Sequence, residues 1–121
     1  MAVAPREREQ VAEGEQDDDL YIALAETFRA LADSTRARLV CLLMGREMFV
    51  TDLAERLGVS ESAVSQHLRV LRAQGLVRFR RSGQHVYYTL ADEHIEQIIG
   101  IGLEHLGHTL EALAPVAPET S

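Results

Sequence analysis

Residues 51–74 read TDLAERLGVSESAVSQHLRVLRAQ, and this stretch decides the fold. Thr51-Asp52 is suited to open a short helix, because an acid in the first turn complements the helix dipole. Gly58-Val59 predicts a tight turn, and Ser60 is a suitable N-cap for a second helix that stops at Gly75. A helix, a three-residue turn and a second helix are typical of a helix-turn-helix, whose second helix enters the major groove of DNA.

The second helix of this pair has two faces of different chemistry. Val64, Leu68 and Leu71 share one face at helical spacing and are predicted to be core residues. The other face carries hydroxyl, amide and guanidinium groups, which hydrogen-bond base edges and phosphates. This face is therefore the predicted DNA-reading surface.

The helical spacing of apolar residues ends directly after the second helix, and a strand-like pattern begins. Residues 76–81 and 85–90 are rich in β-branched and aromatic side chains, and Ser82-Gly83-Gln84 joins them, so a β-hairpin is predicted. A basic hairpin after a helix-turn-helix is a wing, whose tip reaches the minor groove or the DNA backbone. The DNA-binding residues predicted on helix and wing are Ser60, Ser62, Ser65, Gln66, Arg69, Arg72, Arg80, Arg81 and Gln84.

The distribution of charge supports this interpretation better than the total does. The 121 residues carry a formal net charge of −7, which by itself argues against a polyanionic ligand. Residues 62–91, however, carry five Arg and no acid, whereas residues 1–61 hold seven Arg against thirteen acids and residues 92–121 hold six acids and no Arg. The basic segment coincides with the predicted helix and wing, which favours double-stranded DNA as partner.

Four helices, a hairpin and a last helix are predicted along the chain. The first helix ends near Ala32, Asp33-Ser34 caps the second, and Asp92 opens a long helix from Glu93 to Leu113. Residues 1–19 are interpreted as a flexible acidic arm, residues 20–113 as the domain and residues 114–121 as a frayed tail. The predicted fold class is mainly α with a β-hairpin wing, in a homodimer that adds to a modest core.

Composition excludes several other classes. Cys41 is the sole cysteine, so a disulfide or a cysteine-rich metal site within one chain is excluded, and its apolar neighbours indicate a core residue. No apolar stretch approaches the ~20 residues that span a bilayer, and no signal peptide is evident, so a cytoplasmic protein without a membrane partner is expected. Aromatic residues make up 5%, too few for a single-strand stacking platform.

The chain resembles the ArsR/SmtB family of bacterial winged-helix repressors over roughly residues 20–112. The resemblance implies a homodimeric repressor that binds an operator without inducer and releases the DNA when inducer binds. The matching stretches are Leu31-Ala32-Asp33-Ser34-Thr35-Arg36-Ala37-Arg38-Leu39, Asp52-Leu53-Ala54 through Leu57-Gly58-Val59-Ser60-Glu61-Ser62-Ala63-Val64-Ser65-Gln66-His67-Leu68-Arg69-Val70-Leu71, Gly75-Leu76-Val77 and Gly83-Gln84-His85-Val86-Tyr87-Tyr88.

The predicted last helix carries the residues that bear on the inducer. His94 and His105 are eleven residues apart, so they lie within about 20° on one helix face but ~16 Å apart along it, too far to share a metal. An antiparallel partner helix would place Asp92 and His94 of one protomer beside His105 and His108 of the other. One carboxylate and three imidazoles suit tetrahedral Zn(II), with two intersubunit sites per dimer.

The resemblance implies the same ligands, since C-terminal-helix metal sensors of the family carry Asp-x-His followed by His-x-x-His. The family's second site type needs thiols where this chain has Glu47-Met48-Phe49-Val50, so sensing of arsenite, lead or cadmium is not expected. Zn(II) is the expected ion, ahead of Co(II) and Ni(II). The resemblance also implies a relay from His105 to a backbone carbonyl near Gln66, although many metal sensors read Ser-His-Gln where this chain reads Ser65-Gln66-His67.

Three other interpretations compete with a metal-responsive repressor. A winged-helix repressor controlled by a non-metal ligand or a partner would leave the four predicted ligands unexplained. A zinc hydrolase is not expected, because four protein ligands would close the position that a catalytic zinc keeps open. A pure dimerisation module would leave the basic segment without a role. The chain is therefore predicted to be a regulator and not an enzyme.

Overall fold

The computed structural model describes residues 15–108. Within them, five helices and three strands form the predicted winged helix-turn-helix. Helices α3 and α4 are the helix-turn-helix, α4 is called the recognition helix from here on, and strands β2 and β3 are the wing. The elements are α1 (Glu15–Leu31), α2 (Ser34–Leu42), β1 (Met48–Phe49), α3 (Val50–Leu57), α4 (Glu61–Ala73), β2 (Val77–Ser82), β3 (His85–Leu90) and α5 (Glu93–His105).

Side-chain caps set the starts of three helices, as the sequence predicts. Asp33, Ser60 and Asp92 each accept a hydrogen bond from the backbone N–H three residues further on, at 3.0, 3.0 and 3.2 Å. A cap of this kind satisfies one of the N–H groups that have no partner within the helix. Gly58 ends α3 with φ +71°, a left-handed conformation that glycine adopts without strain.

The core lies where the helix-turn-helix packs against α2 and the sheet. Val64, Leu68 and Leu71 are at most 1% exposed, which confirms the predicted inner face of the recognition helix. Cys41, predicted as a core residue, is only half-buried in α2, and burial raises the pKa of its thiol. The other fully buried large side chains come from α2 and the residue after it, from α3 and from the segment after the recognition helix: Leu39, Val40, Leu43, Leu53 and Leu76.

A third strand joins the wing, which the sequence analysis missed. Met48 pairs with Tyr88 and Phe49 with Tyr87, so the sheet has the antiparallel order β1-β3-β2. Two residues are too few to show the alternation that identifies a strand. Helix α3 starts directly after it at Val50, slightly before the predicted Thr51-Asp52 start, and no side chain caps it.

Helix α1 corrects the predicted boundary at residue 20. It already includes residues 15–19, which had been assigned to the flexible acidic arm, and Asp17 within them is buried. Carboxylates are favourable towards the N-terminal end of a helix, so a run of acids there does not by itself indicate disorder. The rest of the predicted arm, residues 1–14, and the predicted tail, residues 114–121, lie outside the described residues.

Helix α5 ends earlier than the predicted Leu113. Gly107 takes φ +86°, its N–H donates to the carbonyl of Glu104, and the N–H of His108 donates to the carbonyl of Leu103, both at 2.9 Å. This pair of bonds is a Schellman motif, which terminates a helix by using its last free carbonyls. His108 therefore follows the helix and does not extend its face, and the predicted residues 109–113 lie outside the described part.

Two helices expose apolar side chains that the monomer does not cover. On α1, Leu20, Tyr21, Ile22, Leu24 and Phe28 are about half exposed. On α5, Ile98 and Ile101 are 38% and 66% exposed, and Leu106, directly after α5, is 70% exposed. Patches of this kind on a small domain mark interaction surfaces. Between residues 15 and 108 no helix combines the length and the apolar character required to cross a membrane.

Candidate DNA interface and metal-site residues

The outer face of the recognition helix presents the predicted DNA-reading residues to solvent. Ser62, Ser65, Gln66 and Arg69 are all exposed, opposite the buried face of the same helix. The oxygen of Ser60 already accepts the N–H of Ala63, so this residue serves the helix as its N-cap. The free backbone N–H groups at the start of the helix add donors that favour phosphate.

Arg36 of α2 links three helices behind this surface. Its Nε donates to the carbonyl of Ala30 at the end of α1 at 2.6 Å, and its Nη1 lies 3.4 Å from Nδ1 of His67 on the recognition helix. No local sequence pattern assigns a role to Arg36 or His67. Their contact fixes the side of the recognition helix opposite the DNA-reading face to the α1–α2 corner.

The contacts at the α1–α2 corner also shift the pKa of Asp33. The pKa of Asp33 is lowered, first because its carboxylate accepts the backbone N–H of Arg36 and also through the positive charge of Arg36. Asp33 thus stays ionised at neutral pH, where it caps α2 and adds charge balance to the Arg36 guanidinium.

The structure gives one predicted phosphate-binding arginine a partner within the chain. Nε and Nη2 of Arg80 donate to the two carboxylate oxygens of Glu47 at 2.6 and 2.8 Å, and the guanidinium lies 4.7 Å from the Tyr87 ring centroid. The hydrogen bond from Arg80 lowers the pKa of Glu47 and raises that of Arg80. Glu47 had been considered only as a non-thiol position, and nothing in the local pattern indicates this long-range pair.

Two other predicted arginines lie on the opposite face of the wing. The guanidinium carbon of Arg72, on the recognition helix, is 4.4 Å from the Phe79 ring centroid, and that of Arg81, on β2, is 5.9 Å from the same centroid. Gln84 lies at the exposed tip, in the two-residue turn whose other member, Gly83, has φ +63°. The arginines around the wing therefore lie on two faces, with Arg80 on one and Arg81 and the helix residue Arg72 on the other.

The four predicted metal ligands fall into two pairs. Asp92 caps α5 and lies 3.6 Å from Nδ1 of His94, with both side chains largely exposed. His105 is the last residue of α5, and His108 follows the Schellman turn; both are exposed. No group of three or more His, Cys, Asp or Glu side chains comes together as a metal site among residues 15–108 of one protomer.

Within one protomer, α5 packs mainly against the wing and less against the recognition helix. It packs on strand β3, and Glu96 accepts the backbone N–H of Gly45 at 3.1 Å, which ties α5 to the loop before β1. No local sequence pattern predicts this hydrogen bond, because the two residues are 51 positions apart. The relay from His105 to the backbone near Gln66 stays a prediction.

Comparison with known proteins gives a consistent result. Residues 33–78 match the family described as bacterial regulatory protein, arsR family. The chain is 51% identical over 83 residues to a transcriptional repressor SmtB homolog of Synechocystis sp., in an alignment that covers 69% of this chain and 63% of the relative. It is 39% identical over 92 residues to the HTH-type transcriptional regulator NmtR of Mycobacterium tuberculosis, which covers 76% of this chain and 77% of that relative.

A solved structure shows the same architecture. The homodimeric winged helix-turn-helix DNA-binding domain (fragment 1–100) of a Mycobacterium bovis protein superposes with a TM-score of 0.74 at 26% identity. That comparison covers 78% of this chain and 88% of the other. The chain spans slightly less than two thirds of the length of the SmtB homolog.

Proposed function

Because the chain belongs to the ArsR family of bacterial regulatory proteins, we propose that it is a metal-responsive transcriptional repressor. The cytoplasmic homodimer binds operator DNA in the absence of metal, and Zn(II) at the dimer interface releases it. The observation that carries the metal part is the placement of Asp92 with His94 at one end of α5 and of His105 at the other.

DNA binding is supported by the recognition helix. Its exposed face carries hydroxyl and amide groups near the helix N-terminus and Arg69 further along. Side chains of these types hydrogen-bond base edges, and the arginines of helix and wing add sequence-independent attraction to phosphates. In a dimer, two such helices would enter successive major grooves about 34 Å apart.

A homodimer is supported by the uncovered apolar faces of α1 and α5. A second copy of the chain would bury these side chains, which stabilises the assembly by roughly 25 cal/mol for each Å² of apolar surface removed from water. A two-fold arrangement presents the same faces from both protomers. Both helices lie outside the helix-turn-helix, so pairing through them leaves the recognition helices free.

The donor set fits a zinc ion. Asp92 and His94 already lie side by side, and carboxylate and imidazole donors suit Zn(II), with Co(II) and Ni(II) as the next candidates. The span of α5 between His94 and His105, ~16 Å, requires that a shared ion take ligands from two protomers. Bound there, the ion would join α5 of one protomer to α5 of the other. His108 would reach the site from the turn after α5, as a fourth ligand.

The contacts of α5 within one protomer suggest which part of the domain a metal link between the two α5 helices would move. Helix α5 packs on β3, and Glu96 holds the backbone N–H of Gly45, so its first turns are joined to the wing sheet. A shift of α5 relative to its partner would therefore reorient the wing with respect to the recognition helix. A His105 relay to the backbone near Gln66 would add a second route.

Zinc titration with paired DNA binding tests the proposal. The metal-free protein first selects a duplex from a random pool, and its affinity is then measured with and without zinc sulfate. We expect two ions per dimer and a 5–150-fold loss of DNA affinity, the usual range of allosteric coupling. His105→Ala should bind the duplex but respond weakly to zinc, whereas Glu104→Gln, one residue away, should respond like the wild type.

The outcomes separate the alternatives. DNA binding that zinc leaves unchanged would contradict metal-responsive repression and favour control by a non-metal ligand or a partner. Failure to select any duplex would contradict the DNA-binding role itself. Hydrolytic turnover by the zinc-loaded protein would favour the hydrolase interpretation.

A further inference from the structure

Phe79 of the wing lies beneath two guanidinium groups from different elements. Arg72 comes from the last turn of the recognition helix, and Arg81 is two residues after Phe79 on β2. Their guanidinium carbons lie 4.4 and 5.9 Å from the centroid of the same ring. Both distances are within the range in which a cation is attracted to an aromatic face.

The strand period separates these arginines from Arg80. Residues two apart on a strand share a face, so Phe79 and Arg81 lie on one face of β2 and Arg80 on the other. On that second face the fork of Arg80 is occupied by both oxygens of Glu47, and the guanidinium stacks on Tyr87. The charge of Arg80 is thus neutralised on one face of the wing, whereas Arg72 and Arg81 meet at Phe79 on the other.

Arg72 and Arg81 lack an acidic partner in the described part of the chain. The ion pairs found between residues 15 and 108 are Arg80 with Glu47 and His94 with Asp92. Two cations held against one ring without a carboxylate form a local concentration of positive charge. An anion with several acceptor oxygens, such as a phosphodiester, would match their fork-shaped donors.

The Phe79 ring packs beside an aromatic ring of the neighbouring strand. Phe79 is opposite Tyr88 across the β2–β3 pair, with ring centroids 5.9 Å apart, and Tyr88 packs against the core. Phe79 remains 38% exposed on its outer side. It therefore forms a fixed platform that reduces the freedom of two flexible side chains before any ligand binds.

We propose that Phe79 is a positioning residue that holds Arg72 of the recognition helix and Arg81 of the wing as one phosphate-binding site for duplex DNA, and that Arg80 takes no part in this site. The inference rests on the proposed DNA-binding function and deepens it. It links the helix that reads bases to the wing, so that both meet the DNA backbone with a set mutual position. Contacts of this kind weaken binding uniformly across sequences when they are lost.

The test measures the affinity of the full-length protein for labelled duplexes over a range of salt concentrations. The duplexes are the one selected by the wild type and a random one of equal length. Arg72→Gln and Arg81→Gln should each lower affinity for both duplexes and reduce the salt slope by about 1, the value for one lost phosphate contact. Arg80→Gln tests the exclusion of Arg80 from the site and should reduce the slope less than Arg81→Gln does, because the Arg80 guanidinium is held by Glu47. Equal losses of slope in Arg80→Gln and Arg81→Gln would overturn the assignment.

Phe79 is tested by substitution and by a double-mutant cycle. Phe79→Leu should lower the affinity for DNA several-fold. Phe79→Tyr should keep the affinity of the wild type, because the tyrosine ring can also hold both guanidinium groups. In the Arg72→Gln/Arg81→Gln background, Phe79→Leu should have little further effect. A full additional loss in that background would show that Phe79 acts through the fold and would overturn the proposal. If Phe79→Leu fails to fold, Phe79→Tyr and the three arginine variants still decide it, and a wild type that binds neither duplex contradicts the proposed function instead.

Discussion

Arg80 and Glu47 form a bidentate ion pair that joins strand β2 to the residue before β1, with nitrogen–oxygen distances of 2.6 and 2.8 Å. The pair crosses the sheet, because β3 lies between β1 and β2. It therefore holds the two edges of the wing sheet together while it neutralises one of the wing's three arginines. In the proposed DNA complex, a carboxylate in this position would compete with phosphate for the same guanidinium.

Glu47→Gln is expected to strengthen DNA binding. The change removes a negative charge near the wing and releases Arg80, so affinity for duplex DNA should rise several-fold and its salt slope should steepen by up to about 1. Titration of a labelled duplex at several salt concentrations measures both. Glu55→Gln, an exposed residue of α3, changes the net charge equally and should give a smaller rise. Weaker binding by Glu47→Gln would show that the pair positions the wing for DNA.

Arg36→Lys is expected to destabilise the domain and weaken DNA binding. A lysine cannot serve both the Ala30 carbonyl and Nδ1 of His67, so at least one contact is lost and the recognition helix is held less firmly. Loss of one or two hydrogen bonds predicts about 1–2 kcal/mol in urea unfolding. Arg38→Lys on the exposed side of the same helix should change the unfolding midpoint little. Equal midpoints for the two variants would contradict a linking role for Arg36.

At acid pH, the Asp33 N-cap should no longer stabilise the folded protein. The pKa of Asp33 in the folded protein lies below its ordinary value of 3.8, so its stabilising effect is complete above that value and is lost as the pH falls through the lower, folded value. Asp33→Asn keeps an N-cap acceptor but does not titrate. The difference in melting temperature between the wild type and Asp33→Asn should therefore narrow from about pH 7 to about pH 2. A difference that stays constant over this range would contradict the linkage.

Two glycine substitutions test where α5 ends. Gly107 has φ +86°, so Gly107→Ala should cost about 1–2 kcal/mol through left-handed strain. Gly102 lies inside α5 with nothing within 4 Å of an added Cβ, so Gly102→Ala should stabilise by up to about 1 kcal/mol. Thermal unfolding at a fixed protein concentration compares them. Stabilisation by both would show that the helix continues through residue 107, as its sequence pattern predicts.

The caps and the inner face of the recognition helix could be predicted because their causes are local. Asp33, Ser60 and Asp92 each bond a backbone N–H only three residues away, and Val64, Leu68 and Leu71 follow the helical period. The start of α1 and the end of α5 were predicted wrongly although their signals are also local. The acids at residues 17–19 favour a flexible arm by composition, yet they lie in α1, and the seam spacing of residues 94–112 predicts a helix through Gly107, whose left-handed conformation follows the end of α5.

The sequence by itself determined the helix-turn-helix and the wing, since these follow from short-range spacing, capping and a basic segment of thirty residues, and the family was indicated by the resemblance of whole stretches of sequence. Only the tertiary structure decided which charges are free. Arg80 meets Glu47 across 33 positions of sequence and Arg36 meets His67 across 31, and no periodicity encodes such contacts because they depend on how the sheet and helices pack. For the same reason the sequence grouped the arginines of helix and wing together. In the structure Glu47 neutralises Arg80, whereas Arg72 and Arg81 lie on Phe79 without an acidic partner among residues 15–108.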